Sequence, residues 1–337
     1  MARKQRAARA AARWKTRRLN RSRRAEVEAR ACKKSWEVKP IMNAVQEEPD
    51  FDPAVHRLID LSINTYYNPY TRFDWPDSLV DEQWWMSPDL LTVFDTPFMD
   101  TMSERELMAL SKYETLNFYS LNIHGIRELM IEVTRRIHSP GYEHQSEFFH
   151  HFIGEENEHM WFFAKFCLKY AGKIYPDKSV KIDTGTLAPD IANFLVFTRI
   201  TIFEEIVDFF NSRMAKDESL HPIIQEINAV HHQDESRHIA FGRQLMKQLH
   251  SDLSSRHGPE EMLAVGNYVN RYIEASIQSL YNPAVYRDAG IADPYRFRRE
   301  LLQQPSRQRQ HDRYLKRTKE FLDKSGLLPS ENAYGAN

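Results

Sequence analysis

Cysteine is almost absent from this 337-residue chain: only Cys32 and Cys167 occur, far apart, so no disulfide framework is implied and a reducing, cytoplasmic setting is expected. Glycine is sparse as well, at 11 residues. With long stretches of helical periodicity and plentiful aromatics, that scarcity disfavours a β-rich fold and favours an all-α one. Long unbroken apolar runs are also missing. The most apolar stretch, Ile191 to Val207, is interrupted by Arg199, Glu204 and Glu205, too polar for a membrane span. The N-terminus has no apolar core of the secretory type.

Net charge is nearly zero, formally −1, but the balance hides an asymmetry. Residues 1–34 hold fourteen Lys/Arg against Glu26 and Glu28, leaving the remainder acidic. Such an arm can touch nucleic acid or an anionic surface, serve as a transit peptide, or fold over the acidic body. It has little aromatic interleaving and no nucleic-acid motif, so no function is built on it. The expected organisation is a basic extension over 1–40 and one domain over 41–330 with a bundle at 103–250. A tail follows at 331–337.

Helices are expected at 51–66, opened by Asp52-Pro53, and from Ser103 to about His138. Ser103-Glu-Arg-Glu106 is a capping box, and Pro140-Gly141 stops that helix. Further helices are expected over about Tyr142–Ala171, 190–215, His221-Pro222 to about His250, and Pro259–Leu280. The proline-rich segment 67–101 reads as irregular. Four consecutive long helices followed by an accessory one suggest a bundle with extra helices packed outside.

Glu-x-x-His occurs four times, at Glu147–His150, Glu156–His159, Glu218–His221 and Glu235–His238. In a helix, residues three and four apart share a face, so each pair can aim at one centre. Position separates the four. Glu218–His221 adjoins Pro222 and suits a helix start, whereas Glu147 lies nine residues before Glu156 and so on the opposite face. The second surviving pair has a third histidine, His231, one turn ahead. A di-iron bundle also needs a lone Glu from each of the other two helices. Glu128 and Glu204 each sit in an apolar stripe, where an acid is costly unless paired or metal-bound. Glu205 competes with Glu204, but its face is more polar. Four carboxylates balance two Fe(II), and neutral histidines add nitrogen donors, which suits iron over calcium, magnesium or structural zinc. His124 and Glu132, flanking Glu128, and Asp234 could orient ligand histidines, or could pair with Arg127, Arg135 or Arg237.

These residues resemble the p-aminobenzoate N-oxygenase family of ferritin-like di-iron oxygenases over roughly 100–250. The extra histidine at His231 is the specific mark. The resemblance implies seven metal ligands, Glu128, Glu156, His159, Glu204, His231, Glu235 and His238, holding two Fe ions with O2 as co-substrate. It further implies oxidation of a small-molecule amine to hydroxylamine, nitroso or nitro products in secondary metabolism. An external electron donor or reductase and a homodimer are the implied partners, with no membrane and no nucleic acid. The alternatives are a C–H hydroxylase or desaturase on the same cofactor, a ferroxidase, and a scaffold whose basic arm binds nucleic acid.

Overall fold

A computed structural model describes residues 53–80, 82–177 and 187–327. The basic extension, Cys32 and the tail at 331–337 lie outside the described residues. Among these residues the structure is helical, apart from one isolated bridge between Trp84 and Leu220. In chain order the helices are α1 (Pro53–Asn64), α2 (Pro69–Arg72), α3 (Pro97–Thr101), α4 (Glu104–Thr134), α5 (Ser146–Ala171) and α6 (Pro189–Met214). There follow α7 (Pro222–Arg256), α8 (Pro259–Ser279), α9 (Pro283–Asp288), α10 (Pro294–Leu302) and α11 (Pro305–Lys324). The fold is the expected all-α, ferritin-like bundle.

Local signals set the boundaries. Ser103 caps α4 by accepting from the Glu106 amide, and Glu106 returns the bond to the Ser103 amide at 2.8 Å. Such a cap is worth about 1 kcal/mol. The helix ends at Thr134, short of the expected His138, which adopts a left-handed φ of 52°. α5 stops at Gly172, whose φ of 65° costs a glycine nothing. His221 opens α7, its ring accepting from the Ile223 amide at 3.2 Å, so Glu218–His221 serves a helix start. α7 runs to Arg256, beyond the expected end. The segment 67–101 is less irregular than its composition implies, because Pro69, Pro88 and Pro97 each begin a short helical turn.

The four long helices α4 to α7 pack as two antiparallel hairpins. Tyr119 of α4 lies against Phe163 and Phe166 of α5. Phe149 near the start of α5 stacks on Phe197 near the start of α6, and Arg136, just past α4, donates to Asn193. The starts of α5 and α6 therefore lie at the same end of the bundle and the two helices run parallel, the arrangement that a single long crossover gives in ferritin-like folds. α6 is buried on nearly every side. Its bundle face is covered by α4 and α7, and its outer face by α8 and α11, where Thr318 donates to Glu205 at 2.6 Å. That enclosure explains how so apolar a helix sits in a protein in which no described helix is long and apolar enough to cross a membrane.

Helices approach closely where side chains are smallest, between the two hairpins at Gly125 and within the second hairpin at Gly242. A Cβ on Gly125 of α4 would meet the Phe203 ring at 2.4 Å, and one on Gly242 of α7 would meet Thr201 Oγ1 at 2.2 Å. Gly242→Leu should therefore force α6 from α7 and lower stability by about 1–3 kcal/mol. Chemical denaturation tests this, and an unchanged midpoint would contradict the packing.

Candidate metal centre

Six of the seven residues singled out from the sequence meet in the middle of the bundle. They form two overlapping groups, Glu156–His159–His231–Glu235 and Glu156–Glu204–Glu235–His238, with the atoms of each group within 4.8 Å of one another. All six residues are at most 2% exposed. Glu156 and Glu235 belong to both groups, so they stand between two cation-sized positions. The helical period does the placing: Glu156 and His159 are one turn apart on α5, and His231, Glu235 and His238 line one face of α7.

The facing atoms are close. His231 Nε2 lies 2.9 Å from Glu235 Oε1, and His238 Nδ1 lies 3.0 Å from Glu156 Oε1. His159 Nδ1 is 3.4 Å from Glu156 Oε2 and 3.5 Å from Glu235 Oε1. Both oxygens of Glu156 and of Glu204, Glu235 Oε2, and the inward nitrogen of each histidine are buried without a hydrogen-bond partner. Buried polar atoms are normally satisfied, so a cluster of inward-facing donors marks a place for cations. Carboxylate and imidazole together suit first-row transition metals.

Each histidine is held from behind. Asp234 binds His159 Nε2 at 3.0 Å, and Glu155 binds His238 Nε2 at 2.7 Å. The Asn211 side-chain amide lies against His231 Nδ1. Arg237 ties the first two supports together, donating to Asp234 at 2.6 Å and to Glu155 at 2.7 Å. Ser62 of α1 accepts from Arg237 at 3.1 Å, and Tyr67 donates to Asp234 at 3.2 Å. Such partners fix the ring, its tautomer and its basicity. Of the three flanking residues weighed in the sequence, only Asp234 takes this role. His124 bonds the Tyr175 carbonyl, and Glu132 pairs with Arg135 and Arg136. Asp234 also takes the expected pairing with Arg237, whereas Glu155, Asn211 and Tyr67 escaped sequence reasoning. Glu155 had a signal, since it lies three residues before Glu158 and one before Glu156, but adjacency does not reveal which side chain across the bundle it meets.

Glu128 does not join the cluster. Its side chain is 44% exposed and pairs with Arg127 at 3.1 Å on the outside of α4. Apolar neighbours in sequence suggested burial, but Tyr119, Asn122, Ile126, Leu129 and Val133 form the buried face, and Glu128 stands about 200° from Ile126 at 100° per residue. Glu205 is also elsewhere, bound to Arg243 and Thr318. Glu147 is exposed, opposite Glu156.

Without a cation, protons must offset the crowded carboxylates. Burial raises Glu204 well above the usual carboxylate range, and the Glu235 charge adds to this. Burial works to lower His159, but its bond to Asp234 and the adjacent Glu156 carboxylate outweigh that and hold the imidazole up to about 10. At pH 7 that ring carries a proton in the metal-free protein, which a cation must expel. Metal uptake should therefore release protons, and apparent affinity should fall as pH drops. Calorimetry in two buffers of different ionisation enthalpy reads this, and identical heats would contradict it. Glu128→Gln should leave metal content unchanged while Glu235→Gln removes it; loss in both would restore Glu128 to the site.

The family model described as "P-aminobenzoate N-oxygenase AurF" matches residues 48–326. Among solved structures, an R2-like ligand-binding oxidase variant with an aerobically reconstituted Mn/Fe cofactor shows 13% identity and a TM-score of 0.47, covering 82% of this chain and 94% of that one. An anaerobically reconstituted variant shows 12% identity and a TM-score of 0.45 over the same shares. Among curated proteins none matches. The family match spans all four bundle helices and every residue of the metal cluster, and on that ground the chain belongs to the p-aminobenzoate N-oxygenase AurF family.

Proposed function

We infer that this protein is a di-iron oxygenase that transfers oxygen from O2 to the amine nitrogen of a small molecule. One observation carries the metal part of the reading: the buried donors of Glu156, His159, Glu204, His231, Glu235 and His238 face one another without hydrogen-bond partners. The family match supports the choice of oxygenase and of nitrogen as the acceptor. Two irons, when bound, supply the electrons and the Lewis acidity needed to activate O2.

The chain's own residues do the rest. Glu156 and Glu235 stand between the two positions, and Asp234, Glu155 and Asn211 keep the three imidazoles aimed inward. Phe149, Phe152, Phe197, Ile200 and Phe241 wall a cavity of about 10 Å³ beside Glu204 and His238, room for about one water-sized molecule. A diatomic such as O2 fits such a space, whereas an aromatic amine requires these side chains to move. Their apolar surface excludes water from the reacting centre. The reducing equivalents would come from an external electron donor, and two copies of the chain form the working assembly.

The apolar lining is also compatible with C–H hydroxylation or desaturation, and the position of the product oxygen separates the readings. Anaerobic Fe(II) loading should leave about two irons per chain, the number that the two donor groups accommodate. Exposure of the loaded protein to ¹⁸O2 with a panel of arylamines and alkylamines should then give products labelled on nitrogen, as read by mass spectrometry. Label found only on carbon would favour the hydroxylase, and iron near zero would end the oxygenase reading.

A further inference from the structure

The helix that should supply a fourth carboxylate supplies none. Two contact levels fix the register between α4 and α5: Tyr119 packs on Phe163 with ring centroids 4.7 Å apart, and Val133 and Phe149 line one cavity. Seven residues from each level on both helices, Ile126 comes opposite Glu156. Ile126 is 1% exposed and shares the helix face of Tyr119 and Val133. This is the depth at which a lone Glu of the first bundle helix would reach the metal in a carboxylate-bridged site. One turn earlier, Asn122 is fully buried. Tyr119 is bonded by Asn228, one turn before His231, so Asn122 lies level with His159 and His231. Its amide nitrogen donates to the Phe118 carbonyl at 2.8 Å, and its Oδ1 has no hydrogen-bond partner. On this face, then, α4 offers a methyl group and, at most, a neutral oxygen. Its one buried acid, Glu114, is engaged elsewhere by Thr92.

The two cation positions consequently differ. The one built from Glu156, Glu204, Glu235 and His238 has three carboxylates, one of them its own. The one built from Glu156, His159, His231 and Glu235 has only the two shared carboxylates. Three negative charges face two divalent cations, and a buried excess of positive charge is unfavourable. We propose that this protein has an asymmetric, charge-deficient metal centre, in which the Glu204/His238 position fills first and tightly, and the His159/His231 position binds its ion weakly because Ile126 stands in place of an α4 carboxylate.

This inference rests on the metal-binding reading above but fails separately from it. Anaerobic titration with Co(II), followed by its d–d absorption and by calorimetry, uses a probe that needs no turnover. The wild type should bind in two steps at least about tenfold apart, since altering even a supporting residue costs that much affinity. Glu204→Gln should abolish the tight step and His159→Ala the weak one. Ile126→Glu should draw the two steps together, while Ile126→Leu, matched in size and neutral, should keep them apart. If circular dichroism shows Ile126→Glu unfolded, the wild type and the other three variants still decide. Two ions bound with equal affinity by the wild type would overturn the asymmetry while leaving the metal centre intact. No Co(II) bound at all would overturn the metal centre itself.

Discussion

The dominant constraint on this bundle is the cost of desolvating ionised groups at its centre. Three carboxylates and three imidazoles occupy a volume from which water is excluded, and each uncompensated ion costs several kcal/mol. Net stabilities of folded domains are about 5–15 kcal/mol, so such a cluster could not persist as bare charge. Metal ligation offers compensation on the required scale. Protons offer a weaker substitute, consistent with the raised Glu204 and His159 values.

Much of the surrounding architecture follows from that need. The two hairpins close on each other at Gly125, where the missing side chain lets Phe203 approach, and α6 and α7 close on each other at Gly242, against Thr201. The accessory helices α8 and α11 cover the back of α6, which lets a helix carrying Glu204 be apolar on nearly all sides. On the other side, α1 and Tyr67 brace Arg237 and Asp234, and through them His159. Order at the centre thus depends on polar contacts made near the surface.

The sequence carried the fold class and the placing of the four long helices, because caps and helical periodicity are local properties. It also carried the two Glu-x-x-His faces and His231, since i, i+3 and i+4 spacing leaves little freedom in where those side chains go. Glu204 over Glu205 followed from comparing faces of one helix. Glu128 went astray for an instructive reason. Four-carboxylate chemistry asks α4 for an acid, and Glu128 is an acid in an apolar stretch but in the wrong helical phase. The period through Tyr119, Asn122, Ile126 and Val133 was available and points to the other side. Glu155 and Asn211 are harder, because their partners are 83 and 20 residues away and only packing brings them together.

Membership of the family supports oxygenase chemistry, and the α4 face sets this chain apart from the four-carboxylate pattern its motifs suggested. The consequence is a centre whose two halves have unequal charge and unequal donor sets. The most direct measurement is anomalous diffraction at the iron edge from crystals grown anaerobically with Fe(II). The account predicts one strong peak among Glu156, Glu204, Glu235 and His238 and a weaker one among Glu156, His159, His231 and Glu235, with Ile126 in contact with no ion. An absence of anomalous density at the cluster, or a metal ion carried by Glu128, would contradict it.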